Sequence, residues 1–189
     1  MTKKYYHSKS SVEAYIQSAK DVNGQLLIDS LKLFLPEDST ILELGSGPGN
    51  DWDILNQDYH VTGSDLSEAF IKHLNTTHLE GQFIKLDAET IDTSEKFDGI
   101  FANKVLHHLT DEQLINSIQR QTQVLNPGGV VCLSFWRGSG DEIFNGLFVN
   151  YHDHDELHNL FKPHFKVVLI ETYTEFEHND SLLLIAILK

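Results

Sequence analysis

The stretch that most constrains this chain is Thr40-Ile41-Leu42-Glu43-Leu44-Gly45-Ser46-Gly47-Pro48-Gly49-Asn50-Asp51. A short apolar run ends in an acid, turns through three alternating glycines and opens a helix. Twenty residues after Gly45 stands Asp65, at the end of a second apolar run. A strand, a glycine turn, a helix and a distant acid make a nucleotide-binding βαβ unit, whose acid can accept ribose hydroxyls. Glycine lets backbone approach a ligand and tolerates positive φ. The dinucleotide fingerprint G-x-G-x-x-G is not met, because Asn50 stands at its third glycine position.

The rest of the chain alternates in the same way. Ser11–Lys20 and Gly24–Leu35 have helical spacing, and Pro36 stops the second helix. Strands are expected at 41–44, 60–63, 82–86, 97–102 and 130–136. Helices are expected at 51–57, after the Ser67 cap to 75, and at 112–125 behind Thr110 and Asp111. Asn126-Pro127-Gly128-Gly129 is a strong turn. Beyond strand five, helices are expected near Glu142–Phe148 and after Asp153, where Asp153 and Glu156 fit a capping box. The last two apolar runs, 166–173 and 182–188, have only the polar loop 174–180 between them, so they should pair antiparallel.

These elements predict an α/β fold: a doubly wound, Rossmann-like, seven-stranded, mostly parallel sheet with an antiparallel C-terminal β-hairpin. The 189 residues suffice for one domain with a full core. We expect a helical lid segment at 1–36, a cofactor-binding core at 37–136, and substrate-side helices with the terminal hairpin at 137–189.

Composition excludes several classes. The net charge is −14, and the only arginines are Arg120 and Arg137. No basic patch is available for nucleic acid or an anionic membrane. The single cysteine, Cys132, lies in an apolar run and reads as a buried thiol, so neither a disulfide framework nor a cysteine zinc site is expected. No apolar run reaches bilayer length and no signal segment follows Met1, so a cytoplasmic protein is expected. His154 and His158 are four apart, but the surrounding acids read as a capped, solvated helix start, and no metal is assigned.

The pattern Glu43-x-Gly45-x-Gly47-x-Gly49 resembles motif I of the class I S-adenosylmethionine-dependent methyltransferases. The run from Phe97-Asp98-Gly99 to His107-His108-Leu109 resembles the motif IV region of that family. Leu125-Asn126-Pro127-Gly128-Gly129 resembles its turn before strand five. Within the superfamily the chain is similar to small-molecule enzymes of the ubiquinone-biosynthesis, trans-aconitate and tellurite-resistance type. The resemblance covers essentially the whole chain and implies S-adenosylmethionine as cofactor and a small-molecule methyl acceptor. It implies that Glu43, Gly45, Ser46, Gly47 and Gly49 cradle the methionine part, that Asp65 holds the ribose and that Leu66 packs on the adenine. Asp87 and Ala88 would meet the adenine edge, and Asn103 the methionine amino group. Asp51 either faces that amino group or is a first-turn acid favoured by the helix dipole.

His107 and His108 are candidate general bases, since a neutral imidazole could take a proton from an attacking hydroxyl. Arg137 follows strand five and is a candidate for a substrate carboxylate. Tyr15 and Tyr151 are candidate substrate contacts, and Tyr5 and Tyr6 share the expected lid with Tyr15. No Asn/Asp-Pro-Pro-Tyr motif follows strand four, where Asn103-Lys104-Val105-Leu106 stands instead; this argues against nucleobase methylation. A cofactor-binding sensor without catalysis stays open as the alternative, because motif I serves binding. The acceptor atom and the oligomeric state are not fixed by the sequence.

Overall fold

The computed structural model describes residues 9–20 and 22–189. Tyr5 and Tyr6 lie outside the described residues. Two helices open the described chain, α1 (Lys9–Ser18) and α2 (Gln25–Leu31). There follow β1 (Thr40–Leu44), α3 (Asn50–Leu55), β2 (His60–Asp65), α4 (Glu68–Thr77), β3 (Gln82–Lys85) and β4 (Phe97–Ala102). A 3₁₀ turn at Leu106–His108 leads to α5 (Asp111–Val124) and β5 (Leu125–Trp136). The chain closes with β6 (Asp141–Phe144), β7 (Leu147–Asn150), α6 (His154–Phe161), β8 (Phe165–Tyr173) and β9 (Ser181–Leu188).

The expected seven-stranded sheet is present in the order β3-β2-β1-β4-β5-β9-β8. Strands β1 to β5 run parallel, and β9 pairs antiparallel with both β5 and β8. Strand order reverses at β1, which lies between β2 and β4. In such sheets that reversal opens a crevice at the carboxyl ends of the strands.

Alternation along the strands feeds two cores, one on each face. On one face Leu42, Leu44, Ile100, Val131, Leu133 and Leu184 pack against Leu114 and Ile118 of α5 and Leu157 and Phe161 of α6. On the other, Ile41, Phe101, Cys132 and Ile185 pack against Leu27, Ile28 and Leu31 of α2 and Trp52 and Leu55 of α3. Each fully buried Leu or Ile contributes about 1.5–3 kcal/mol, so these faces hold helices as short as α2 and α3 that are too brief to persist alone. Cys132 is buried, as expected of its apolar run.

The caps also form as the sequence implies. The Ser67 hydroxyl accepts the Phe70 N–H at the start of α4. Thr110 with Gln113, and Asp153 with Glu156, complete reciprocal capping boxes on α5 and α6. The second helix ends earlier than expected, at Leu31, and continues as turns towards Pro36. The Asn126–Gly129 turn is drawn into the start of β5, where the register against β4 slips between Phe97 and Gly99.

One expected element is absent. No helix forms near Glu142–Phe148; β6 and β7 make a separate two-stranded hairpin instead. Its turn is Asn145-Gly146, with φ of 50° and 83°. Both central residues adopt positive φ, as a two-residue hairpin turn of the primed type requires, and Asn-Gly is its preferred sequence. The flanking aromatic and β-branched residues Ile143, Phe144, Phe148 and Val149 then favour strands over helix.

Among the described residues, no helix is long and apolar enough to cross a membrane.

Candidate functional site

A cleft of about 600 Å³ opens at the carboxyl ends of β1, β2 and β4. Its floor is the glycine turn. Gly45 and Gly47 both have positive φ, 68° and 51°. A methyl group on Gly45 would lie 2.5 Å from Val105 Cγ2, so the turn is packed tightly against the end of β4. At Gly47 the nearest atom to such a methyl is a ring carbon of Tyr15 at 3.8 Å, so the backbone there is open to a ligand.

Behind the turn, Glu43 is 2 % exposed. The Ser46 hydroxyl donates to Glu43 Oε2 at 2.5 Å and accepts the Ser64 N–H at 3.0 Å. The Ser64 hydroxyl donates to the Glu43 carbonyl at 2.7 Å. This closed set ties β1 to β2 beneath the cleft. Burial, and then the neighbouring charge of Asp51, push the Glu43 carboxyl up to about 8. It therefore stays protonated at neutral pH.

A prediction follows from the sign of that shift. Between the ordinary carboxylate value and 8, the folded protein holds a proton that the unfolded chain has released, so stability falls as pH rises through this window. Glu43→Gln keeps an acceptor for Ser46 without a titrating group. Its melting temperature is expected to match the parent near pH 5 and to exceed it at pH 8. Thermal unfolding of both proteins at the two pH values measures this, and a constant difference between them rules out a protonated Glu43.

Asp65 ends β2 and faces the glycine turn. Its carboxylate accepts the Gly47 N–H at 3.1 Å and the Ser67 N–H at 2.7 Å. Leu66 follows it in the cleft wall. Asp87 and Ala88 line the cleft beyond β3. The Asp87 carboxylate accepts the Glu89 N–H at 3.0 Å, and the Ala88 carbonyl accepts the Ser117 hydroxyl of α5 at 2.7 Å. Strand-end acids and one helix thus fix the two loops that meet at this end.

The opposite end is set by a relay of hydrogen bonds. The Lys104 N–H donates to Ser134 Oγ at 2.9 Å, and the Ser134 hydroxyl donates to Asn103 Oδ1 at 2.7 Å. Asn103 Nδ2 then donates to Asp51 Oδ2 at 3.0 Å, while Gly24 N–H donates to Asp51 Oδ1 at 2.5 Å. Burial raises the proton affinity of Asp51, and the Gly24 and Asn103 donors oppose it. Asp51 is thus more than a first-turn acid: its carboxylate joins the α2 entry to the end of β4. Asn103 lines the cleft, with Glu43, Ser46, Gly49 and Asp51 one layer behind it or the turn.

The two histidines separate. His108 lines the cleft, and its Nδ1 lies 2.7 Å from the Phe148 carbonyl of β7. A carbonyl only accepts, so Nδ1 carries the proton and Nε2 of the neutral ring is bare. Burial lowers the His108 pKa, and the Phe148 contact opposes the shift. His107 is 3 % exposed, and its ring centroid lies 4.0 Å from that of His108. Burial, then His108 and Lys104, hold it well below the ordinary value. The expectation that either histidine could serve as a base is corrected here: His107 is walled off from the cleft, and only His108 reaches it.

Arg137 and Tyr151 are not brought to the cleft. The Arg137 guanidinium is exposed and donates to the Asn179 carbonyl at 3.2 Å. Tyr151 donates its hydroxyl to Glu142 Oε1 at 2.6 Å and packs beside Gly138. Arg137 and His152 form an isolated bridge just beyond β5 and β7. Tyr15 does line the cleft, edge-on to Phe70 at 5.8 Å.

Other residues here were not anticipated. Ile143, Leu147 and Phe148 of the hairpin form an apolar wall beside Leu109. Lys104, at a φ of 55°, points its ammonium at Glu175, 2.9 Å away. The Asn145-Gly146 turn was the available signal for the hairpin. No local signal joins Lys104 to Glu175.

The strand order, the glycine turn and the acids after β2 and β3 define an α/β domain built to bind a nucleoside-containing cofactor. Residues 41–129 match the family described as a methyltransferase domain. The matched stretch, just under half of the chain, holds the glycine turn, Asp65, Asp87 and Asn103. Trans-aconitate 2-methyltransferase of Escherichia coli is 32% identical over 96 residues, covering 49% of this chain and 37% of that protein. The chain thus spans well under half the length of that curated relative. Among solved structures, a TehB-like methyltransferase from Corynebacterium glutamicum superposes with a TM-score of 0.77 at 18% identity, covering 96% of this chain and all of that one. The 1,6-didemethyltoxoflavin-N1-methyltransferase of Burkholderia thailandensis, solved with its acceptor and S-adenosylhomocysteine, gives a TM-score of 0.75 at 19% identity over 95% of this chain and 86% of that one. These structures share the fold.

Proposed function

We propose that this chain transfers a methyl group from S-adenosylmethionine to a small-molecule acceptor and releases S-adenosylhomocysteine. One arrangement carries the reading. The open glycine turn and Asp65 stand at one part of the cleft, and Asn103, held from behind by Asp51, at another. A nucleoside with vicinal hydroxyls fits the first, and an α-ammonium group fits the second.

Bound S-adenosylmethionine supplies an electrophilic methyl on a sulfonium. The chain's own groups do the rest. Asp65 accepts the ribose hydroxyls, Leu66 and Ala88 enclose the adenine, and Asp87 accepts its amino group. Asn103, oriented by Ser134 and Asp51, places the methionine end. Tyr15 of α1 closes over the cofactor from the side of the expected lid. On the acceptor side, His108 Nε2 receives the proton released by the attacking atom, and the Phe148 carbonyl holds the ring for that task. Holding the reactants in line accounts for much of the rate, up to about 7–11 kcal/mol in favourable cases. The names of the relatives, which act on trans-aconitate and on 1,6-didemethyltoxoflavin, support a small-molecule acceptor.

Calorimetric titration with S-adenosylmethionine, S-adenosylhomocysteine and NAD tests the reading. Micromolar binding of the two adenosyl ligands and none of NAD is expected. Failure of both adenosyl ligands, or preference for NAD, overturns it.

A further inference from the structure

We infer that the Lys104–Glu175 pair makes the acceptor site selective for uncharged molecules, so that the acceptor is a largely apolar compound presenting a hydroxyl to His108. The inference rests on the methyl-transfer reading and deepens it to a substrate class.

Among the described residues, Lys104 is the only lysine or arginine lining the cleft. Its ammonium is fully engaged. It lies 2.9 Å from the Glu175 carboxylate, donates to Ser181 Oγ at 2.6 Å, and lies 3.4 Å from the Phe135 carbonyl. It also sits 3.5 Å from the centre of the Trp136 ring and 5.2 Å from that of Tyr173. The two charged side chains are only 11% and 16% exposed. Drawing Lys104 towards a substrate carboxylate would strand Glu175 as a nearly buried, unpaired charge. The reverse holds for a substrate ammonium. The aromatic and acidic box that suits such a group is already filled by Lys104.

Glu175 is held in place independently of any ligand. The carboxylate of Asp180 accepts the N–H groups of Glu175, Phe176 and Glu177 at 2.9, 3.0 and 2.8 Å. It also accepts the Ser181 hydroxyl at 2.8 Å. The loop between β8 and β9 is thus a preformed support that delivers Glu175 to the end of β4. The other charged side chains of the cleft wall among the described residues, Asp65 and Asp87, are both acidic. Arg137, the first cation past β5, is exposed, lies outside the cleft wall and donates to the Asn179 carbonyl. The remaining acceptor-side wall, Leu109, Leu147 and Phe148, is apolar, and His108 Nε2 is an acceptor waiting for a donor. A hydroxyl supplies that donor. Among the described residues, a tricarboxylate such as the one named for the Escherichia coli relative meets only Lys104, which Glu175 already holds.

Three fragments of one shape test this: 2-naphthol, 2-naphthoate and protonated 2-naphthylmethylamine, titrated into protein saturated with S-adenosylhomocysteine. Wild type is expected to hold 2-naphthol about tenfold more tightly than either charged fragment. Glu175→Gln frees Lys104 and should tighten 2-naphthoate about tenfold, with 2-naphthol little changed. Lys104→Met frees Glu175 and should tighten the amine instead. Unchanged S-adenosylhomocysteine affinity and melting temperature confirm that each variant is folded. A wild type that holds 2-naphthoate as tightly as 2-naphthol, or holds neither, overturns the inference, as does a Glu175→Gln variant that still rejects 2-naphthoate. If S-adenosylhomocysteine itself does not bind, the methyl-transfer reading fails first.

Discussion

Replacing Asp65 by alanine is expected to weaken S-adenosylmethionine and S-adenosylhomocysteine by about 10²–10³-fold, with little loss of fold. Hydrogen bonds to a charged group are worth about 1.5–3 kcal/mol each. Two ribose hydroxyls on one carboxylate therefore account for about 3–6 kcal/mol, and with each 1.4 kcal/mol worth tenfold in affinity the lower half of that range gives the stated loss. The carboxylate also accepts the Gly47 and Ser67 N–H groups. Gly47 and Ser67 both line the cleft, so water entering the space left by the carboxylate can replace the lost acceptor. Asp65→Asn separates the contributions: the amide oxygen can keep one acceptor without the charge, so its loss should fall between alanine and wild type. Calorimetry on the three proteins, with melting temperatures alongside, is the measurement. An Asp65→Ala protein that binds S-adenosylhomocysteine within threefold of wild type and melts normally would place the ribose elsewhere.

Asp65 was legible in the sequence because it sits at a fixed offset in a local unit. The strand before it and the glycine turn opposite it are specified within about 25 residues of chain. The same holds for the sheet. Apolar runs such as Ile41–Leu44 and Val130–Phe135 are buried on both faces, and turn residues mark their ends. Cap residues at Ser67, Thr110 and Asp153 worked for the same reason, since each acts within three residues.

Where legibility failed, the deciding contact was either local but competing or not local at all. At 142–148 the acids and apolar spacing suit a short helix, yet the positive φ of Asn145 and Gly146 selects a hairpin. Arg137 follows β5 and Tyr151 follows β7, but each is held away from the cleft by a partner distant in sequence, Arg137 by the Asn179 carbonyl and Tyr151 by Glu142. Lys104 and Glu175 meet only because β5 and β9 pair antiparallel and carry the β8–β9 loop to the end of β4. His107 and His108 are adjacent in a 3₁₀ turn, and only the surrounding packing shows which one faces the cleft.

That asymmetry between neighbours leads to the second large effect. His108→Asn is expected to lower kcat by about 10²-fold, the lower end of the range for a positioned general base. Asparagine is the informative replacement. Its side-chain amide can occupy the position of Nδ1 and donate to the Phe148 carbonyl, which keeps the hairpin docked, but it has nothing at the position of Nε2. A loss of kcat in a variant with normal S-adenosylhomocysteine affinity and melting temperature therefore reports the proton acceptor and not the support of β7. The pH profile supplies a second readout. Burial dominates at His108 and lowers its pKa, so the ring is neutral at pH 7 and protonates only below the ordinary value of 6.5. The rate of the wild type should be level above neutrality and fall in acid, and the variant should lack that limb. The limb has to be separated from unfolding, because His107, His108 and His152 are all shifted downward. Below 6.5 the unfolded chain takes up protons that the fold refuses, and stability drops with the pH. Melting temperatures at each pH make the separation. A variant that keeps both the rate and the acid limb would show that alignment alone drives the transfer, with the acceptor losing its proton to water.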